Sequence, residues 1–378
     1  MSNHAPVTPL SRVSWSWQAT SVARVEILDV DLVAFERGNR AERAAVVDGV
    51  MSSLATGFVY VAHDLAEGVI DEAYGQLETF FNLPQDRKDR YIVDGSRGQT
   101  GYTPMMTETA AISDIPDLKE MLNWGEPAPP GHPLRRRYPH RYGPPTLPEG
   151  DLPGVTELLG GFHAAVIDIQ RRVLRVIAAG LGVHEEFFDA MLEYGATLTR
   201  AIHYPPMETA PTDGFMWAVE HGDINLITML PRATAPGLQV RTDGGWIDAV
   251  PPEGSAIINT GMMLEHLTNG VIGAGIHRVV AAEGQTGDRY SVVQFAHPTP
   301  WTILQPLPTC VTDEHPLRFP TIASADALDK VIWEINLVER GRRVGEAIVE
   351  GYERIPQTDE ELAWADSGAA AMIAEEPW

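Results

Sequence analysis

Between Ala196 and Pro298 the sequence consists almost entirely of short β-strand patterns separated by turns. Residues 246–250 form one such pattern after an Asp-Gly-Gly turn, and residues 255–259 form another after a Pro-Glu-Gly turn. Many short strands bounded by turn residues are typical of double-sheet all-β architectures. The segment therefore predicts a mainly β protein with flanking helices, whose core is a double-stranded β-helix, or jelly roll.

Two strand-like segments in this region carry residues that suit a metal ion. His221 and Asp223 flank Gly222, and because side chains alternate along a strand, we expect the imidazole and the carboxylate to share one face. His277 follows much later, in a second strand-like segment. Two histidines and one carboxylate leave coordination positions open, as non-haem Fe(II) requires when it binds a cosubstrate and O₂ together. An isolated His-x-Asp also occurs by chance, and the alternative is an ordinary polar strand face.

A third strand-like segment carries an arginine and a serine on one face. Arg289 and Ser291 are two residues apart, so they point to the same side of a strand. A guanidinium that faces the core is costly to bury unless it meets an anion, and its planar fork matches a carboxylate. The pair predicts a carboxylate-binding site, with a solvated strand face or a structural ion pair as the alternatives.

Further motifs occur in a fixed order along most of the chain. Those in the N-terminal half are Gly57-Phe58-Val59-Tyr60-Val61, Phe80-Phe81-Asn82-Leu83-Pro84, Gly101-Tyr102-Thr103-Pro104 and Asp117-Leu118-Lys119-Glu120. Those in the C-terminal half are Tyr204-Pro205-Pro206, His221-Gly222-Asp223, Gly237-Leu238-Gln239-Val240, residues 264–270, His277-Arg278-Val279 and Arg289-Tyr290-Ser291. With these motifs the sequence, from about Val25 to Arg342, resembles the isopenicillin N synthase-like branch of the Fe(II)- and 2-oxoglutarate-dependent dioxygenases.

The resemblance implies a role for each of six residues. The implied iron ligands are His221, Asp223 and His277. The implied partners of the distal carboxylate of 2-oxoglutarate are Arg289, Ser291 and Tyr204. The implied cofactors are therefore Fe(II), with 2-oxoglutarate as cosubstrate, and O₂.

The sequence departs from the family pattern at two positions. Ile202 stands where plant-like members have an asparagine, two residues before the tyrosine, so that position offers no polar help to the cosubstrate. Met262 stands where an acidic residue usually follows the glycine at Gly261. Neither departure touches the implied metal ligands.

Three functions remain open on the sequence alone. The first is an oxygenase that oxidises a small organic molecule by hydroxylation, desaturation or ring formation, in specialised metabolism. The second is a 2-oxoglutarate-independent oxidase or cyclase of the isopenicillin N synthase type, because such enzymes resemble this chain at Arg289 and Ser291 while the substrate's own carboxylate meets the arginine. The third is a jelly-roll binding module that holds a metal ion without redox chemistry.

Four aromatic residues are candidates for the substrate pocket. Tyr102 lies in a family motif, Phe215 and Trp217 precede the His221 strand, and Phe295 alternates onto the face of Arg289 and Ser291. Each of the four fits the hydrophobic core equally well.

Other histidines and methionines near the motifs are given structural roles. His163 lies on the apolar side of a long helical pattern, so we expect a core histidine. We interpret His266 and His297 as structural or surface residues, and Met262 and Met263 as core filling.

Composition agrees with a soluble enzyme of the cytoplasm, and the small-molecule substrate is what the family resemblance implies. The 378 residues are 44% apolar, enough for a large core. The lone Cys310 excludes an intramolecular disulfide and suits a reducing compartment. A net charge of −24 disfavours nucleic acid and acidic membranes as partners. No apolar run has the length of a membrane span, no signal peptide is recognisable, and no obligatory protein partner is evident.

The organisation along the chain predicts a single oxygenase domain over residues 1–378. Its parts are a family region at 25–125, a proline-rich loop at 126–154, supporting helices at 155–194, the jelly-roll core at 195–300, and C-terminal helices and a tail at 301–378. The predicted elements are a surface arm at 1–24, strands at Val25–Val33 and Gly57–Ala62, and helices at Ala41–Leu54, Leu65–Phe81, from Val155, and at about Ser324–Glu350.

The proline-rich loop carries an unusual basic cluster for so acidic a chain. Arg135, Arg136 and Arg137 are consecutive, and Arg141 follows shortly after. We favour a solvated loop whose arginines pair with surface carboxylates over a clamp or lid for an anionic substrate.

Overall fold

The computed structural model describes residues 26–109, 115–209, 216–282 and 285–332. The strands are β1 (Asp29–Asp31), β2 (Phe58–Ala62), β3 (Gly101–Thr103), β4 (Glu120–Trp124), β5 (Leu198–Tyr204), β6 (Ala218–His221), β7 (Ile227–Leu230), β8 (Leu238–Thr242), β9 (Gly245–Asp248), β10 (Ser255–Thr260), β11 (His277–Val279), β12 (Arg289–Ala296), β13 (Ile303–Leu304) and β14 (Ile322–Ala323). The helices are α1 (Leu32–Arg37), α2 (Arg40–Ser53), α3 (Glu67–Phe81), α4 (Gln85–Lys88), α5 (Pro133–Arg137), α6 (Pro139–Tyr142), α7 (Val155–Gly180), α8 (Asp189–Leu192) and α9 (Met262–Leu267). None of the helices in these ranges is long and apolar enough to cross a membrane.

Two sheets form the core. The larger has the strand order β1-β2-β10-β7-β12-β5-β4-β3, and the smaller has the order β6-β11-β8-β9. Every pairing except β1 with β2 is antiparallel. Val240 of the smaller sheet packs on Phe58 and Ile257 of the larger one, so the inner faces meet in a shared core. The prediction of a mainly β fold with flanking helices and a jelly-roll core is confirmed.

The long helix α7 supports the outer face of the larger sheet. Its apolar residues recur every three or four positions, and the stripe that they form is buried. The amide of Gln170 donates to the backbone carbonyls of Ile227 and Gln294, on two neighbouring strands. His163 is 3% exposed, and its Nδ1 lies 2.7 Å from Thr199 Oγ1. The predicted core histidine is therefore confirmed, and the helix holds the strands on which the site depends.

The first predicted strand is shorter than expected. Instead of extending to Val33, it ends at Asp31, and α1 begins at Leu32. The Asp31 carboxylate accepts hydrogen bonds from the backbone N–H groups of Val33 and Ala34, which caps the helix. The apolar residues around Asp31 favoured one continuous strand, so the sequence pattern did not indicate the helix cap.

The proline-rich segment is not a continuous loop. It contains α5 and α6, each with a proline at its first helical position, where the missing N–H costs nothing. Arg141 pairs with Asp329 at 2.6 Å, as expected for arginines that meet surface carboxylates.

Some predictions fall partly or wholly outside the described ranges. The arm at residues 1–24 and the tail after residue 332 lie outside them. Residues 324–332 are helical, in agreement with the start of the predicted C-terminal helix. Its continuation to Glu350 also lies outside the described residues.

Candidate active site

His221, Asp223 and His277 come together between the two sheets. His221 ends β6 and His277 begins β11, and the two are directly paired across the antiparallel ladder with ring centroids 4.4 Å apart. Asp223 lies in the loop after β6, with its Oδ1 3.9 Å from His221 Nε2. One ligand atom from each residue lies within 4.8 Å of the others. The three side chains thus surround one point that a single metal ion could occupy.

Hydrogen bonds orient all three side chains. The Nδ1 atoms of His221 and His277 face the backbone carbonyls of Val219 and Gly275, at 2.7 and 3.1 Å. A protonated Nδ1 that donates to a carbonyl leaves Nε2 free as a ligand atom. The three groups are therefore held with lone pairs available to a metal.

The Asp223 carboxylate is held by polar side chains of the larger sheet. It accepts hydrogen bonds from the Thr228 hydroxyl of β7 and from Asn259 Nδ2 of β10, the latter at 2.8 Å. Asp223 has left the strand, so alternation along β6 does not account for the direction of its side chain, whereas these two hydrogen bonds do.

Burial and neighbouring charges set the protonation states of the cluster. Burial raises the pKa of Asp223, but His277, His221 and the hydrogen bonds from Thr228 and Asn259 outweigh it and hold the pKa below its ordinary value. Burial, helped by His221, lowers the pKa of His277 to about 4. At neutral pH the cluster presents a carboxylate and a neutral imidazole. These are the forms that bind metal, and the donor set fits Fe(II).

Removing the hydroxyl that holds Asp223 should weaken metal binding. We expect Thr228→Val to lower the affinity for Fe(II) by about 10- to 100-fold, because partners of metal ligands typically contribute that much. Competition with a chromophoric chelator measures the affinity. Thr228→Ser keeps the hydroxyl and should retain most of the affinity for Fe(II). If both variants lost the same affinity, the loss would come from altered packing and not from the missing hydrogen bond.

Arg289, Ser291 and Tyr204 form a second cluster on the larger sheet. Arg289 is paired with Tyr204 across β12 and β5, and its Nη1 donates to Ser291 Oγ at 3.2 Å. The guanidinium lies 5.0 Å from the Tyr204 ring centroid. Arg289 is only 2% exposed, and among the described residues no carboxylate lies within ion-pair distance of it. A buried cation without a counter-ion fits an anionic ligand.

Both clusters line one cavity of about 750 Å³ that lies between the sheets. The volume falls within the range of small-molecule sites. The loop at residues 92–99 and the helix at residues 324–332 supply further parts of its wall. A metal ion and an anchored organic acid could therefore meet a third molecule in one cavity.

The predicted substrate residues lie in different surroundings. Phe295 lines the cavity. Tyr102 also lines it, but its hydroxyl donates to Glu120. Trp217 is fully buried in a separate apolar cluster and is not part of the cavity wall. Phe215 lies outside the described residues.

Sequence reasoning missed other residues of the wall. His297 is 5% exposed and lines the cavity, whereas we expected a structural or surface role. Alternation along β12 could have identified it, since it shares the parity of Arg289 and Phe295. Met262 is 37% exposed and lines the cavity, so its prediction as core filling is wrong, whereas Met263 is buried in the core.

Two protein families match this chain. Residues 27–150 match the non-haem dioxygenase in morphine synthesis N-terminal family, and residues 195–298 match the 2OG-Fe(II) oxygenase superfamily. Kihadalactone A synthase of Citrus sinensis is 31% identical over 288 residues, which cover 72% of this chain and 83% of the relative. The chain belongs to the 2OG-Fe(II) oxygenase superfamily. The resemblance to its isopenicillin N synthase-like branch is confirmed.

Other relatives of this oxygenase agree. A 2-oxoglutarate-Fe(II) type oxidoreductase of Aspergillus fumigatus is 26% identical, covering 83% of this chain and 94% of its own. A crystal structure of a 2OG-Fe(II) oxygenase family protein from Caulobacter crescentus has a TM-score of 0.72 and 33% identity, with coverage of 82% and 99%. A full-length Neurospora crassa protein in complex with alpha-KG has a TM-score of 0.71 and 25% identity, with coverage of 83% and 98%. The oxygenase therefore uses Fe(II), 2-oxoglutarate and O₂, and the alternatives of an oxidase independent of 2-oxoglutarate and of a non-redox module are disfavoured.

Proposed function

We propose that His221, Asp223 and His277 hold Fe(II) in this oxygenase and that Arg289 and Ser291 hold 2-oxoglutarate. One observation carries the proposal: the three potential ligands and the unpaired buried guanidinium line the same cavity. The prime substrate is a small organic molecule of specialised metabolism, which is oxidised by hydroxylation, desaturation or ring formation. The names of two plant relatives, a kihadalactone A synthase and an azadirone synthase, support this class of substrate.

The residues of the cavity bind and orient the reactants. The carboxylate of Asp223 offsets one of the two positive charges of Fe(II), so the remaining charge attracts a dianionic acid. Arg289 supplies the counter-charge for the far carboxylate, and the Tyr204 hydroxyl, within hydrogen-bonding reach of Arg289 and Ser291, fixes that end. When bound, iron and 2-oxoglutarate supply the activation of O₂ that oxidises the substrate, with release of succinate and CO₂.

The direct test is conversion of 2-oxoglutarate to succinate. We expect the purified protein to form succinate slowly with Fe(II) and O₂ alone, and faster when a panel of amino acids, peptides and terpenoid acids includes a substrate. Chelation of the metal should stop the reaction. The proposal would be contradicted if no succinate formed in the absence of the panel and none formed with any of its members.

We also propose that the chain forms one oxygenase domain. The pairing of β2 with β10 supports this, because it joins the N-terminal region to the jelly-roll core within one sheet. The contacts of α3 with α7 add to the same core.

We propose a cytoplasmic location and a lack of nucleic-acid and obligatory protein partners. The single cysteine, buried as a free thiol, supports the cytoplasmic location. The net charge of −24 supports exclusion of nucleic acid.

A further inference from the structure

The cavity has a second end, opposite the proposed cosubstrate site. Along β12, residues 289, 291, 293, 295 and 297 all face inward. At about 3.4 Å per residue, His297 lies roughly 27 Å along the strand from Arg289. Around it the wall contains Phe295, Leu198 of the paired strand and Leu328 of the helix at residues 324–332, with the Arg200 guanidinium 5.5 Å from the centroid of the Phe295 ring. The prime substrate must occupy this end if 2-oxoglutarate occupies the other.

His297 is the unusual feature of this part of the wall. Its side chain lines the cavity, yet the residue is 95% buried, being 5% exposed. Its Nδ1 atom is buried and has no hydrogen-bond partner within the described part of the chain. Leaving a buried polar atom unpaired is costly, so such atoms in functional cavities commonly await a ligand.

The imidazole of His297 is uncharged at neutral pH. Burial is the main reason that its pKa is lowered to about 3, and the cations Arg141 and Arg200 lower it further, against a smaller opposing effect of Asp223. A neutral imidazole has one donor and one acceptor nitrogen. It can bind a hydroxyl or a carbonyl oxygen but supplies no charge for an anion.

The other buried charges of the described wall are already neutralised. Lys119 Nζ is 2.8 Å from Asp117 Oδ2 and 3.6 Å from Glu108 Oε2. Arg200 Nη1 is 3.4 Å from Glu108 Oε2. Two cations thus meet two anions, and among the buried cations of the described wall only Arg289, at the cosubstrate end, has no counter-charge. The cations nearest His297, Arg141 and Arg200, already have the counter-ions Asp329 and Glu108, so a charged group on the substrate would be buried at the far end without an uncompensated opposite charge, which is costly.

We propose that the prime substrate is a neutral, mainly apolar molecule that packs on Phe295 and offers one hydroxyl or carbonyl oxygen to His297. The proposal rests on the proposed function, because it takes the cavity to be the oxygenase site. It narrows the substrate from any small organic molecule to an uncharged one with a polar oxygen far from Arg289. Acidic substrates bound through their carboxylate are excluded from this end.

Matched probes test the class. Naphthalene, naphthol and naphthoate share one frame, as do adamantane, adamantanol and adamantanecarboxylate. Their dissociation constants are measured by calorimetry on the metal-free protein and, without O₂, on the protein with Fe(II) and 2-oxoglutarate. We expect the alcohol to bind about 2- to 10-fold more tightly than the hydrocarbon and the carboxylate in at least one frame.

Variants test the residue. His297→Leu should remove the preference for the alcohol and leave the affinity for the hydrocarbon unchanged or higher. His297→Asn, whose amide can occupy the position of Nδ1, should keep it. Thr197→Val is the matched control, because the Thr197 hydroxyl is also buried and unpaired but does not line the cavity. Thr197→Val should still form succinate from 2-oxoglutarate at the slow rate expected of the unmodified protein without substrate.

Several outcomes would overturn the inference. Tightest binding of the carboxylate, no binding of any probe, or a preference for the alcohol that survives His297→Leu would each do so. If Thr197→Val lost the preference for the alcohol to the same extent as His297→Leu, the preference would not depend on contacts within the cavity. Failure of the proposed function is distinguishable, because it would abolish succinate formation in the unmodified protein while the metal-free binding data remained.

Discussion

Replacing Asp223 with alanine should lower the affinity of the oxygenase for Fe(II) by more than about 100-fold, since loss of a mere partner of a metal ligand already costs 10- to 100-fold. The variant removes the only carboxylate among the three groups and leaves the two imidazoles. Conversion of 2-oxoglutarate to succinate should fall with the affinity. His277→Ala should behave in the same way. Chelator competition measures the first quantity and succinate formation the second.

Asp71→Ala provides the control for this prediction. The Asp71 side chain is 63% exposed and pairs with Arg232 on the surface, so its loss should change neither quantity. Normal Fe(II) binding by Asp223→Ala would show that the cluster is not the metal site. Normal binding with no turnover would instead indicate that Asp223 orients the reactants without holding the metal.

The convergence of the two histidines of the proposed metal site could be predicted because both obey strand geometry. His221 and His277 sit on adjacent antiparallel strands, and direct pairing brings them together. The direction of Asp223 could not be derived in the same way, since the residue follows the strand and is held by Thr228 and Asn259. Side-chain hydrogen bonds between distant segments leave no periodic signal in a sequence.

The substrate end of the cavity could be predicted only in part. Phe295 was found by alternation, and the same rule extended by one step gives His297. The loop at 92–99 and the helix at 324–332 reach the cavity from opposite ends of the chain, and no local pattern indicates that they meet. Trp217 shows that closeness in sequence does not place a side chain in the cavity. Its position beside the His221 strand suggested the pocket, but its ring packs on Tyr204 in the core.

The helical parts were predicted well where an amphipathic stripe was long. The helix α7 begins at Val155 as expected, because a single buried face fixes its pattern over many turns. Short helices such as α1 and α5 were missed. They depend on a cap or on a proline at the first position, and these signals are weak beside apolar or proline-rich neighbours.

Replacing Arg289 with leucine should raise the KM and the Kd for 2-oxoglutarate by at least about 30-fold. Removing one member of a buried, hydrogen-bonded charge pair costs about 2–5 kcal/mol, and each 1.4 kcal/mol is tenfold. Fe(II) binding should be retained, since the guanidinium belongs to the other cluster. Calorimetry with 2-oxoglutarate and chelator competition with Fe(II) measure the two properties separately.

A lysine at position 289 distinguishes the contribution of the positive charge from that of the planar guanidinium. Arg289→Lys keeps the positive charge but loses the planar fork that matches a carboxylate, so its affinity for 2-oxoglutarate should lie between those of the unmodified protein and Arg289→Leu. Arg175→Leu, which removes a surface arginine paired with Asp189, should bind 2-oxoglutarate normally.

If Arg289→Leu bound 2-oxoglutarate normally while succinate formation rose with substrate, the acid would have to be held elsewhere. The unpaired guanidinium would then be free to meet the substrate, and the orientation of the whole cavity proposed above, with the neutral end at His297, would be reversed.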